Sequence, residues 1–190
     1  MAKKDEIQTT TNKYVWATIG AVALAGLVTY FMFKKSCTTK SKFEKILITA
    51  NINDEGKLAT TSQYMEVMGY NVATTTTLPL TDETYQQYDV VIHIGGQCSN
   101  KEFCRLSGNA DGQPDVCNCS QEQKLFKPIT KKGLFIQTAC LNNAKVISLG
   151  GCTNTDTLLS ITKFTVMVDE EGLGIEGVYD YNELTAEDCF

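Results

Sequence analysis

The spacing of apolar and polar positions changes several times along this chain, and each change marks a different kind of element. From Tyr14 to Phe33 the chain reads YVWATIGAVALAGLVTYFMF, without a single charge. At about 1.5 Å per residue such a run spans about 30 Å as a helix, the thickness of the hydrocarbon core of a bilayer. Tyr14 and Trp16 at one end and Tyr30 near the other stand where amphipathic rings favour the membrane interface, and Lys34 and Lys35 close the segment. A single transmembrane helix over 14–33 is therefore expected, with a polar tail at 1–13 and a basic linker at 34–44. The small residues ALA at 23–25 would suit signal-peptide cleavage, but the apolar run continues beyond them. Ala17, Ala21, Ala25 and Thr29 recur every four residues and form a ridge that would let another helix approach closely.

Beyond the linker the period shortens. KILITA at 45–50 reads as a buried strand, and GKLATTSQYMEVMGY reads as a helix, with Leu58, Met65 and Met68 near helical spacing and Gly69 as its stop. NVATTTT is a second, β-branched strand. TDETYQQY offers a short helix with Thr81 as cap, and DVVIHIGG a third strand. Strand, helix, strand, helix, strand is the start of an α/β sheet. Residues 97–124 then break the pattern with a polar, turn-rich insertion that carries four of the eight cysteines. GLFIQTAC and AKVISLGG are separated by LNN, too short for a parallel crossover, so an antiparallel hairpin turning at Asn142 and Asn143 is expected. KFTVMVDEEGLGIEGVYDY reads as a second hairpin. The whole predicts an α/β domain over 45–180, a Rossmann/flavodoxin-like sheet ending in antiparallel hairpins, and an acidic tail at 181–190.

Two segments look alike: VVIHIGGQCSN at 90–100 and KVISLGGCTN at 145–154 each run into a glycine pair, a cysteine and an asparagine. If GLFIQTAC runs parallel to VVIHIGG, the hairpin sends KVISLGG back. The glycine pairs then lie at opposite edges of the sheet, and Cys98 shares an edge with Cys140.

Few residue sets offer chemistry. GLGIEG at 172–177 matches the dinucleotide fingerprint in letters, but it follows Asp169, Glu170 and Glu171 and leads into a strand-like stretch, so no helix N-terminus waits for a pyrophosphate. His93 is the one histidine, within an apolar strand, and a core histidine satisfied by a hydrogen bond accounts for it better than a base for Cys140. Cys98, Cys104, Cys117 and Cys119 could supply four sulfurs to zinc, yet their spacing lacks the short knuckles of tetrahedral sites. No C-x-x-C occurs, and NADGQPD is out of register with a calcium loop. Disulfides or inert thiols remain for Cys98, Cys104, Cys117 and Cys119, with at least one bridge expected within 98–119 because a polar insertion gains most from covalent closure, about 2–4 kcal/mol per bridge; Cys140, on the edge expected for Cys98, is a further candidate for a bridge. No catalytic residue, cofactor or metal is assigned.

Charge narrows the partners. Residues 36–190 carry a net charge of −8 and residues 1–35 a net charge of +3. Phosphate binding needs a basic face, so nucleic acid is not an expected partner of the domain. From Asp169 onward there are eight acids and no lysine or arginine. Lysines flank the apolar segment on both sides, more of them after it, which weakly favours a cytoplasmic domain. Eight cysteines, and an Asn118-Cys119-Ser120 glycosylation triplet, argue for an oxidising compartment instead.

Residues 45–97, with YDVVIHIGG running into a glycine pair, resemble the flavodoxin-like and glutamine-amidotransferase-like families, which implies an α/β fold and no particular activity. Cys140 at the end of LFIQTAC is placed like the amidotransferase cysteine, without the G-x-C-x-G motif that family carries. One arginine among 17 basic residues, abundant threonine, an N-terminal anchor and a cysteine-bearing domain also resemble the membrane-associated minor virion proteins of large DNA viruses of the algal type. The expectation is a non-enzymatic, single-pass membrane protein, a structural or adaptor component that links an internal virion membrane to a capsid shell. Its partners would be a lipid bilayer and other proteins of a membrane-associated assembly, with no small-molecule ligand. The alternative is a membrane-tethered enzyme or ligand binder working at the strand ends near Gly95, Gly96 and Cys98.

Overall fold

A computed structural model of the chain describes residues 43–96, 98–108, 125–128, 133–176 and 178–180, all within the compact unit Cys37–Phe190. The expected transmembrane helix with Tyr14, Trp16, Tyr30, Lys34 and Lys35, most of the cysteine-rich insertion with Cys117 and Cys119, and the acidic tail lie outside the described residues. Among the described residues no helix is long and apolar enough to cross a membrane.

The domain is an α/β structure. Strands β1 (Lys45–Ala50), β2 (Asn71–Thr75), β3 (Val90–Ile94), β4 (Leu134–Leu141), β5 (Ala144–Gly151) and β6 (Val178–Asp180) form one sheet in the order β2-β1-β3-β5-β4-β6. β1 pairs in parallel with β2 and β3, and β3 with β5, while β4 runs antiparallel to both β5 and β6. The central strands are buried on both faces, which is why they read as unbroken apolar runs rather than alternating ones.

Helices α1 (Glu55–Val67) and α4 (Asn154–Glu171) cover one face. Their Leu58, Met65, Ile161, Phe164, Met167 and Val168 pack on Ile46, Ile48, Val90, Ile92, Ile147 and Leu149. Helices α2 (Asp82–Gln86) and α3 (Lys101–Ser107) belong to the other face, where Tyr85, Phe103 and Leu106 meet Leu47, Val91, Phe135 and Val146. Phe103 stacks between Phe126 and Phe135, with ring centroids 5.5 and 5.0 Å away.

The first three strands, the first helix and the Thr81-capped α2 form as the pattern predicts. In α1, Thr61 is buried in place of Met68, which is exposed; the Thr61 hydroxyl donates back to Lys57 O at 2.8 Å and so needs no solvent. The β4–β5 hairpin is also as expected. Asn142 and Asn143 both have positive φ, 51° and 71°, the conformation a two-residue turn requires and asparagine tolerates.

Three expectations fail. KFTVMVDEE is not a strand but the second half of the 18-residue α4. Its start is fixed by a capping box: Thr153 Oγ1 accepts from Asp156 N at 3.1 Å, and Asp156 Oδ2 accepts from Thr153 N at 3.0 Å. Burial of Thr157, Ser160, Ile161, Phe164, Met167 and Val168 follows the helical period, and Gly172 at φ 65° ends the helix, so GLGIEG is a helix terminus. The insertion does not begin as irregular chain, because α3 occupies its first part. Lastly, β5 and not β4 lies beside β3, in parallel; β4 is the antiparallel strand outside it.

Candidate functional site

The carboxyl ends of β1, β3 and β5 form one edge of the sheet, and the chain reverses its direction of travel between β1 and β3. In open α/β sheets that reversal opens the crevice where ligands bind. Asn51, at the exit of β1, accepts from Asn53 N at 3.2 Å and donates through Nδ2 to Ser99 O at 2.7 Å, tying the loops after β1 and β3 together. The loop after β3 is fixed from inside by the fully buried Asn100. Its Oδ1 accepts from the N–H groups of Glu102 and Phe103 at 2.9 and 3.1 Å, and its Nδ2 donates to Ile94 O at 2.9 Å. Asp54 is buried beside this loop and pairs with Lys57 one turn along α1.

The two glycine pairs meet at this edge. Gly95 N donates to Leu149 O at 2.9 Å, extending the β3–β5 ladder. A Cβ on Gly150 would stand 2.5 Å from Gly95 O, and one on Gly96 would collide with Gly151 O. The expectation that the pairs lie at opposite edges is therefore overturned: at Gly96 and Gly150 the backbone of the other pair passes too close for a side chain, while a Cβ on Gly95 would meet Ser99 Oγ and one on Gly151 would meet Asp156 and Gly133 O. The likeness of the two segments has a common physical origin. Both are strand exits that lead through a cysteine to the capped start of a helix, Asn100 for α3 and Thr153 for α4. Glycine here serves backbone packing and leaves no cradle for a phosphate.

Cys98, Cys104, Cys140 and Cys152 are disulfide-bonded, and no described cysteine is free. Cys98 and Cys152 belong to the carboxyl edge, whereas Cys140, opposite Lys145 and in line with Val90, lies at the other end of the sheet. The expected common edge for Cys98 and Cys140 is thus wrong, because β4 runs antiparallel to β3. Cys152, which the sequence reading left out of the bridges, takes part in one. A disulfide sulfur carries no thiolate, so Cys98 and Cys104 present no ligand to zinc, and the described residues include no group of three metal-binding side chains.

His93 lies in mid-strand, fully buried, and is the centre of a relay across the second face. Tyr85 Oη donates to Glu102 Oε1 at 2.6 Å, so its oxygen accepts from His93 Nε2–H at 3.0 Å. His93 Nδ1 then accepts from Thr49 Oγ1 at 3.4 Å, which fixes the neutral Nε2–H tautomer. Glu102 Oε2 accepts from Leu80 N at 3.0 Å, and Arg105 Nε and its terminal nitrogen donate to Oε1 at 3.1 and 2.6 Å. Burial pushes the His93 pKa down to about 4. For Glu102 burial acts upward, but the hydrogen bonds from Arg105 and Tyr85 outweigh it and hold the carboxyl below its ordinary value. Burial, then the Glu102 charge, raises the Tyr85 hydroxyl. Thr49, Tyr85, His93 and Glu102 are fully buried, and only Arg105 reaches towards solvent.

In register with His93 stand Thr49, Ser148 and Gln137, a buried polar row across β1, β3, β5 and β4. Gln137 accepts from Lys127 N at 2.7 Å and donates to Lys127 O at 2.9 Å, pinning 125–128 to the sheet. Ser148 Oγ has no hydrogen-bond partner among the described residues. The sequence signal for the row was one polar residue at the same place in each strand; Glu102, Tyr85 and Arg105 carried no such signal and were missed.

No protein-family model, no curated protein and no solved structure matches this chain.

Proposed function

We propose that this chain is a single-pass, membrane-anchored structural or adaptor protein, a minor capsid component that links an internal virion membrane to its shell. The observation that carries this reading is the use made of the reactive side chains. The one histidine is locked neutral inside the sheet, and the four described cysteines are held in disulfides. Such groups brace a rigid body instead of facing a substrate. The uncharged segment 14–33 supplies the anchor, and the net charge of −8 after it suits a basic protein partner. The parallel order β2-β1-β3-β5 supports a flavodoxin-like body with an antiparallel extension at β4 and β6. Crosslinking in intact membranes or particles is the test: neighbours that are shell or membrane proteins support the reading, and recovery of the isolated chain alone in mild detergent overturns it.

A second reading, a membrane-tethered enzyme or ligand binder at the strand ends near Gly95, Gly96 and Cys98, is favoured by one observation. Asn51, Asp54, Lys57 and Ser99 converge at the β1/β3 reversal. An Asp54→Asn variant that keeps its fold and loses a measured activity or ligand would favour this reading.

A further inference from the structure

The geometry points to the outer edge of β2 as a self-association surface, on which a second copy of this chain lays its own β2 antiparallel. β2 pairs with β1 on one side only, and no described strand lies on the other. Alternate N–H and C=O groups of such an edge face outward and accept another strand. Edge strands are usually guarded by lysine, proline or a bulge. NVATT carries no lysine or proline, and its one-to-one register with β1 runs without a bulge from Asn71 to Thr75. The opposite edge differs: β6 is three residues long and ends in Asp180.

The choice of a second copy as occupant rests on charge. A twofold contact sets each surface against itself, so a patch of one sign meets a patch of the same sign. From Val67 to Thr81 fifteen residues carry no charge, the longest such stretch in 43–180 of a domain whose net charge is −8. Here two acidic copies can approach without repulsion, and a basic partner gains nothing. Val67, 80 % exposed, and Met68, 42 % exposed, close α1 just ahead of the strand. With Ala73 near the axis, Val72 faces Thr74 and Asn71 faces Thr75 of the other copy, β-branched and polar pairs that suit a sheet surface.

Sedimentation of the full chain in mild detergent over a range of concentrations tests this, alongside Thr74→Lys, at an exposed position of the edge. A reversible dimer is expected. Thr74→Lys should raise its dissociation constant about tenfold or more, since the axis brings each new lysine in twice. Amide exchange at Val72 to Thr75 of the unaltered chain should slow as concentration rises. A monomer at all concentrations, or a dimer that resists Thr74→Lys but dissociates with Ala21→Leu in the apolar segment, overturns the inference. It stands apart from the adaptor reading: a chain that pairs through β2 yet crosslinks to no other protein breaks only that reading. A monomer crosslinked to shell proteins breaks only this one.

Discussion

The central strands are buried on both faces of the sheet, by different means on each. Under α1 and α4 the core is aliphatic and aromatic, and its polar side chains, Ser160 excepted, donate to backbone carbonyls: Thr61 and Thr157 to those four residues back, and Lys145 to Leu173 O at 2.8 Å. Under α2 and α3 the helices are five and seven residues long, too short to cover the strands with apolar side chains alone. There the sheet presents Thr49, His93, Ser148 and Gln137, and specific hydrogen bonds to Tyr85, Glu102 and Lys127 hold the covering segments in place. A long amphipathic helix docks by area and tolerates small displacements. A short one needs directional bonds, and those make the second face dependent on protonation as the first is not.

Four measurements would break or sharpen that contrast. Phe164→Ala, which empties the centre of the aliphatic face, should cost about 3–5 kcal/mol in denaturant unfolding, with little change between pH 7 and pH 5. Glu102→Gln should cost about 2–4 kcal/mol, because Arg105, Tyr85 and the Leu80 N–H are all donors and the new amide nitrogen is a donor too. A cycle with Arg105→Ala should show coupling, and additive losses would mean that the pair is not the brace.

Acid should act through the second face alone. His93 titrates near 4 in the fold against an ordinary 6.5, so the unfolded chain takes up the proton first. Stability should therefore fall as pH drops from about 6.5 towards 4, by at most about 3 kcal/mol. Glu102, whose pKa is also depressed, adds a further loss as pH falls through its folded value. His93→Asn should flatten the profile between pH 6.5 and 5; an unchanged slope would place the proton uptake elsewhere. The smallest effects should come from Ser148→Ala and Ser160→Ala, one on each face, since both hydroxyls are buried without a partner among the described residues. Each change should be neutral or stabilise by up to about 1 kcal/mol, read as a shift of the unfolding midpoint.

The elements that were legible in the sequence are those with one unambiguous local signal. KILITA reads as a buried strand and VVIHI as a strand, TDETYQQY offers a short helix with Thr81 as cap, and LNN is too short for anything but a tight turn. KFTVMV was not legible. Its β-branched residues satisfy a strand, and the helical period of 157, 160, 161, 164, 167 and 168 emerges only once the capped start at Thr153 is recognised. The glycine pairs show the same limit: GG after a strand signals a sharp exit, but whether the two exits touch depends on strand order.

Local sequence signals suffice for the α/β class, the first three strands, the β4–β5 turn, and the separation of an uncharged segment from an acidic, cysteine-bearing domain. These follow from burial periods, turn chemistry and charge, which act over a few residues. It takes the assembled fold to show that β5 enters the sheet beside β3, which brings Gly95-Gly96 against Gly150-Gly151, sends Cys140 to the far end and aligns His93 with Ser148. Strand order and register are set by which long-range pairing buries the most surface without stranding a polar group, and no local window of sequence contains that comparison.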